Sequence, residues 1–164
     1  YGLPGLRIGW VIGPPDLMQM ASAVQSHLTS HPSSITQRAA TFALEGHADV
    51  EATIDSMVGT FRQRRDAIVS GLSQIDGVEC SMPEGAFYVF PDVRGLFGRP
   101  LGAKGRIVNS SSELCAYLLD DALVVTVPGE AFGMPGFVRF SYALSMDDLQ
   151  EGVGRTQEAL RTQP

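Results

Sequence analysis

Between Ala48 and Ile75 apolar residues return at intervals of three, four or seven positions: Val50, Ile54, Met57, Phe61, Ile68, Leu72 and Ile75. That spacing predicts one long amphipathic helix, bent near Gly59, whose stripe faces a protein core rather than a coiled-coil partner. The segments C-terminal to this helix constrain the fold further. Asp76-Gly77 turns the chain, and Val78 to Met82 and Ala86 to Phe90 read as short strands around Pro83-Glu84-Gly85. Asp92 to Asn109, with four glycines and Pro100, reads as a long loop. Ser110 and Glu113 form a capping box for a helix through Asp121, Ala122 to Val127 reads as a buried strand, and Pro128-Gly129 ends it. Phe137 to Tyr142 alternates cleanly as a strand, and Ser145 with Asp148 caps a last helix carrying Leu149, Val153 and Leu160. Helix, strand, strand, helix, strand, strand, helix is the order of an α/β or α+β layered domain, expected over residues 47–164.

Residues 1–46 supply less. Leu6 to Ile12 is apolar and partly β-branched and stops at Gly13-Pro14-Pro15, so it reads as a buried strand with Arg7, Gly9 and Val11 on one face. Pro15-Asp16 opens a helix carrying Leu17, Ala21, Val24 and Leu28, and Pro32 stops it. Ser34 and Gln37 read as a capping box for a second helix, which Gly46 closes. One strand and two helices cannot close a sheet, so this stretch is expected to be the end of a larger domain. A chain that opens on Tyr1 reads as a piece of a longer one.

Composition excludes several classes. Net charge is −6 in 164 residues, against the basic face a nucleic-acid partner needs. Arg62, Arg64 and Arg65 lie in a helical pattern beside acids and read as a solvated face. No apolar run approaches the length of about 18 residues expected of a membrane helix. Cys80 and Cys115 lie far apart and His27, His31 and His47 form no ligand pattern, so no disulfide framework or metal site is expected, and cytoplasm is the expected compartment. Gly98 to Gly105 looks like a phosphate loop, but Ala103 precedes Lys104 and Gly105 follows it where that motif needs Gly and Ser or Thr.

Two arginines are the better candidates for chemistry. Arg7 and Arg139 each sit in an apolar strand pattern, beside Gly9 and Ser141. A guanidinium there needs an anionic partner, because an unpaired buried charge costs several kcal/mol, on the order of 3–5. Its planar fork suits a carboxylate or phosphate. Local pattern leaves a structural salt bridge and a ligand site equally open.

Six motifs in order bear on that choice. Tyr1-Gly2-Leu3-Pro4-Gly5-Leu6-Arg7-Ile8-Gly9-Trp10 resembles the segment just after the cofactor lysine of class I aminotransferases. His31-Pro32-Ser33-Ser34, Phe61-Arg62-Gln63-Arg64-Arg65-Asp66, Pro83-Glu84-Gly85-Ala86-Phe87-Tyr88, Val127-Pro128-Gly129 through Phe132-Gly133, and Val138-Arg139-Phe140-Ser141 are similar to further family segments. The resemblance implies the fold of the pyridoxal 5'-phosphate (PLP) dependent transferases of fold type I: residues 1–46 as the end of the large PLP-binding domain, 47–164 as the small C-terminal domain. It implies that Arg7 binds the PLP phosphate and Arg139 the substrate α-carboxylate. It places Phe87 on the substrate side of the cleft, and Ser30 and His31 in a loop that approaches the partner subunit's active site in a homodimer. The implied substrates are an L-amino acid and a 2-oxo acid.

The departures are as specific. Aligned on Arg7, the lysine that carries PLP is expected two residues before Tyr1. Of 12 basic residues only Lys104 is Lys, in the wrong region to replace it. His31 stands where relatives often carry Asn. Val24 to Ser30 contains no Arg to read a second carboxylate, which argues against a dicarboxylic substrate. A PLP-dependent carbon–sulfur lyase or synthase of the same fold, and the aminotransferase-like ligand-sensing domain of a transcription regulator, are the rival expectations.

Overall fold

The computed structural model describes residues 1–162, which fall into two compact units, Tyr1–Met57 and the chain from Val58 on. The domain boundary expected at 46/47 lies at the foot of the long helix, whereas the division between units falls inside it. The α/β class expected from the sequence is the class found.

The first unit holds helices α1 (Pro15–Leu28) and α2 (Ser34–Leu44) and the start of α3 (Ala48–Leu72). Pro15 opens α1 at its first position with Asp16 in the first turn, as the sequence predicts. The strand expected over Leu6–Ile12 does not form. Pro4–Leu6 makes a single 3-10 turn, Arg7 follows in the left-handed region (φ 49°), and Trp10, Val11 and Ile12 are exposed. A strand exists only by pairing, and among the described residues nothing pairs with 7–14. The capping box expected at Ser34 is also absent. Ser33 is the N-cap without a side-chain bond, and Gln37 Nε2 donates instead to the Pro32 carbonyl at 2.8 Å. No residue of this unit is buried.

The second unit carries the core. Strands β1 (Tyr88–Val89), β2 (Val127–Pro128) and β3 (Val138–Ser141) form an antiparallel sheet with β3 in the middle. The β1–β3 register sets Tyr88 opposite Ser141 and Val89 opposite Phe140. It runs on beyond the strand bounds, through Tyr142 N to Phe87 O (2.9 Å), Val138 N to Pro91 O (3.1 Å) and the Asp92–Phe137 bridge. Alternation then sorts the faces. Val89, Val138 and Phe140 point into the core with Leu114 and Leu118 of α4 (Ser111–Ala122), Leu149 of α5 (Met146–Ala159) and Ile68 and Leu72 of α3. Tyr88, Arg139 and Ser141 take the other face.

Two helix starts agree closely with the sequence. Ser110 Oγ accepts from Glu113 N at 3.1 Å, while the Glu113 carboxylate turns back to Asn109 N at 2.8 Å. Ser145 Oγ accepts from Asp148 N at 3.1 Å and opens α5. Helices α3 and α5 meet at Gly71, where a Cβ would stand 2.3 Å from Val153 Cγ1. Only glycine allows that approach, and Gln157 Nε2 closes it on the Gly71 carbonyl at 2.8 Å.

Two expected strands shrink. Over 78–82 pairing is confined to Glu79, bonded to Asp92 in both directions. Over 122–127 it is confined to Val127 and the following Pro128. Leu123 ends α4 in the left-handed region (φ 56°), and Leu123 and Val125 are exposed. An apolar run predicts burial only where something covers it. Among the described residues no helix is long and apolar enough to cross a membrane.

Candidate active site

Arg139 occupies the central strand, with Val127 paired to it across β2. Its outward face results from the alternation that sends Val138 and Phe140 inward. Arg139 is half-buried, and its Cζ stands over two rings. Tyr88, from the strand on one side, lies 4.3 Å away at its centroid. Phe132, from the turn after the strand on the other side, lies 4.8 Å away. Contacts of this kind are worth about 0.5–1 kcal/mol where water reaches them. Among the described residues Arg139 makes no ion pair and no side-chain hydrogen bond. Glu130 shares the Phe132 turn and does not pair with it. Of the two readings the sequence leaves open, the structural salt bridge is the one not found.

Phe87 joins this group through Tyr88, the two rings 4.4 Å apart. It is partly exposed, and its other side meets Phe61 of α3 at 6.2 Å. The Gly85-Ala86 turn that presents it is irregular, with Ala86 in the left-handed region (φ 61°). Phe132 is held in turn by Phe90, edge-on at 5.8 Å and 90°. Its turn starts at Gly129, where a Cβ would fall 2.0 Å from the Met134 carbonyl oxygen, so the Pro128-Gly129 punctuation is a packing requirement as well as a stop.

Arg7, Ser30 and His31 belong to the first unit. Arg7 is exposed, its Nη1 donating to the Pro4 carbonyl at 3.3 Å, and no carboxylate among the described residues pairs with it. Its remaining donors are available to an anion, which is the chemistry a phosphate needs. Ser30 sits near the start of the α1–α2 connection with φ 62°, and the His31 Nδ1 lies 2.8 Å from the Pro32 carbonyl oxygen. Lys104 is set for a different task. Its exposed ammonium pairs with Asp121, and that hydrogen bond raises its pKa above the ordinary lysine value. A protonated amine is no nucleophile, so its setting agrees with its poor place in the sequence. Tyr88 and Phe132 are the site residues that sequence reasoning passed over. Both stand inside family-like motifs, at 83–88 and 127–133, but a contact across strands has no local signature.

A model of the family "Aminotransferase class I and II" matches residues 1–155. The aspartate aminotransferase of Streptomyces avermitilis is 46% identical over 160 residues, covering 98% of this chain and 38% of that protein. The crystal structure of the aspartate aminotransferase from Rhizobium meliloti superposes with a TM-score of 0.84 at 43% identity, over 97% of this chain and 39% of that one. The aspartate aminotransferase from Thermus thermophilus, solved with maleate, gives 0.81 at 30% identity, over 96% and 38%. The chain thus spans under two fifths of the length of these relatives. With the family's model running along all but the last residues of this chain, it belongs to the class I and II aminotransferases.

Proposed function

We propose that this chain is part of a PLP-dependent aminotransferase that moves an amino group between an L-amino acid and a 2-oxo acid. The observation that carries the reading is Arg139: a half-buried arginine whose guanidinium is held by rings, with no acidic partner among the described residues. A substrate carboxylate supplies the missing anion, in two parallel N–H···O bonds that fix the amino acid's orientation. Phe87 forms an apolar wall beside Tyr88 and keeps water from that flank. In the other unit Arg7 holds the PLP phosphate, for which its unpaired donors fit. Bound PLP supplies the electron sink. The proton-carrying lysine is read as lying outside residues 1–164.

The relatives' names favour aspartate as amino donor, and maleate in the Thermus thermophilus structure is a dicarboxylate. The second carboxylate must then be read by groups other than Val24–Ser30, which holds no Arg. Names of this kind favour amino transfer over the lyase and regulator readings. The same proposal reads the whole protein as a homodimer, with Ser30 and His31 facing the partner subunit's site. It places the protein in the cytoplasm, in keeping with the free thiols Cys80 and Cys115.

Steady-state amino transfer from L-aspartate to a 2-oxo acid by the whole protein tests this. Arg139→Leu is expected to lower kcat/KM by about 100-fold, the loss of a charge-assisted bidentate pair. On the 164-residue chain itself, borohydride reduction with PLP and then mass spectrometry is expected to leave no pyridoxyl adduct on Lys104. An adduct there, or an unchanged kcat/KM, contradicts the assignment.

A further inference from the structure

A cation that must receive a substrate carboxylate faces a conflict. An acidic side chain would hold it in place, but would occupy the very N–H groups the substrate needs. An unanchored side chain keeps its donors, yet loses rotamer freedom each time the ligand arrives. Arg139 avoids both. Its guanidinium is gripped by Tyr88 at 4.3 Å and Phe132 at 4.8 Å, and neither ring contact takes up an N–H.

The grip is built from both flanks of the central strand. Tyr88 reaches Arg139 from the β1 side, two residues from Phe90, which the continued register sets opposite Arg139. Phe132 comes from the turn after β2. Neither ring is loose: Phe87 packs on Tyr88 at 4.4 Å, and Phe90 packs edge-on against Phe132 and tilted at 5.3 Å against Phe137. We propose that Tyr88 and Phe132 are positioning residues for Arg139, holding its guanidinium through ring contacts so that its N–H groups remain free for a carboxylate. The proposal rests on the reading of Arg139 as a carboxylate site and extends it to two side chains that act through Arg139.

The test is solution NMR on the 15N-labelled 164-residue chain, with propionate as the probe. In the unaltered chain the Arg139 Hδ and Hε signals are expected upfield of ordinary arginine positions, shifted by the ring currents, and propionate is expected to move them. Tyr88→Leu and Phe132→Leu should each abolish part of the upfield shift and weaken propionate binding by about three- to tenfold, the scale of one cation–ring contact. Tyr88→Phe keeps the ring and should bind as the unaltered chain does. A purely structural role for the rings would not be rescued in binding while sparing the amide spectrum. Unshifted Arg139 signals in the unaltered chain overturn the proposal without recourse to any variant. If propionate moves the Arg139 signals of the unaltered chain and binds the two leucine variants equally well, the carboxylate reading stands and this proposal alone falls. If propionate leaves Arg139 unmoved in every form, the carboxylate reading itself falls and takes this proposal with it.

Discussion

The Tyr142 hydroxyl donates to the Ala86 carbonyl at 3.0 Å, and the Tyr142 backbone N–H donates to the neighbouring Phe87 carbonyl at 2.9 Å. One residue at the end of the central strand thus pins both carbonyls of an irregular turn that Ala86 enters at φ 61°. Tyr142 is 2% exposed, so its hydroxyl has no ready water to fall back on. Tyr142→Phe is expected to cost about 1 kcal/mol in urea unfolding, the net worth of a neutral hydrogen bond, without loss of core packing. A cost near zero would mean that the turn at Ala86 holds without it.

Leu118 of α4 is fully buried, against Leu119 beside it at 48% exposure. Leu118→Ala removes packing that the close-set core cannot refill and is expected to cost about 2–5 kcal/mol. Leu119→Ala should stay within about 0.5–1 kcal/mol. Chemical denaturation of the pair measures the difference directly.

Leu123 ends α4 with φ 56° and ψ 38°, a conformation that costs a non-glycine residue about 1–2 kcal/mol. Its side chain is 71% exposed and loses little burial on removal. Leu123→Gly is therefore expected to stabilise the protein by about 0.5–1 kcal/mol once the added freedom of the unfolded chain is counted. A raised midpoint of thermal or urea unfolding checks this.

Asp92 accepts from the Arg94 backbone N–H at 2.9 Å and from its Nε at 3.0 and 2.9 Å, one to each carboxylate oxygen. The Arg94 side-chain bond holds the Asp92 carboxyl below its ordinary value, against a smaller opposing push from burial. A carboxyl whose folded pKa is depressed adds stability above its unfolded value. That stability is lost as pH falls through the folded one. Asp92→Asn should thus destabilise the protein at neutral pH, and the gap between variant and parent should close on acidification. Urea unfolding at several pH values tracks it, and a gap independent of pH would show that the carboxylate's charge plays no part.

The parts of this fold legible in the sequence are those set by neighbours a few residues apart. Ser110 with Glu113 and Ser145 with Asp148 open helices where their side chains predict, because a cap is a bond across three residues. The alternation from Phe137 to Tyr142 likewise places Arg139 and Ser141 away from the core. Features that need a distant partner were not legible. Leu6–Ile12 and Ala122–Val127 have the apolar content of strands, yet most of their length finds no neighbour to pair with among the described residues. The candidate site divides the same way. Arg139 stands out as a charge in a strand, whereas Tyr88 and Phe132 matter only through a strand order that no local pattern encodes.

The unburied first unit has a thermodynamic consequence. The heat capacity of unfolding and the denaturant slope both scale with the surface that unfolding exposes. Residues 1–57 contain no buried side chain, so their melting uncovers little that is not already wet. A calorimeter should therefore see a protein smaller than its chain length, with nearly all the signal coming from the core around Leu114, Leu118 and Val138. Deuterium would enter the amides of α1 and α2 long before those of α4.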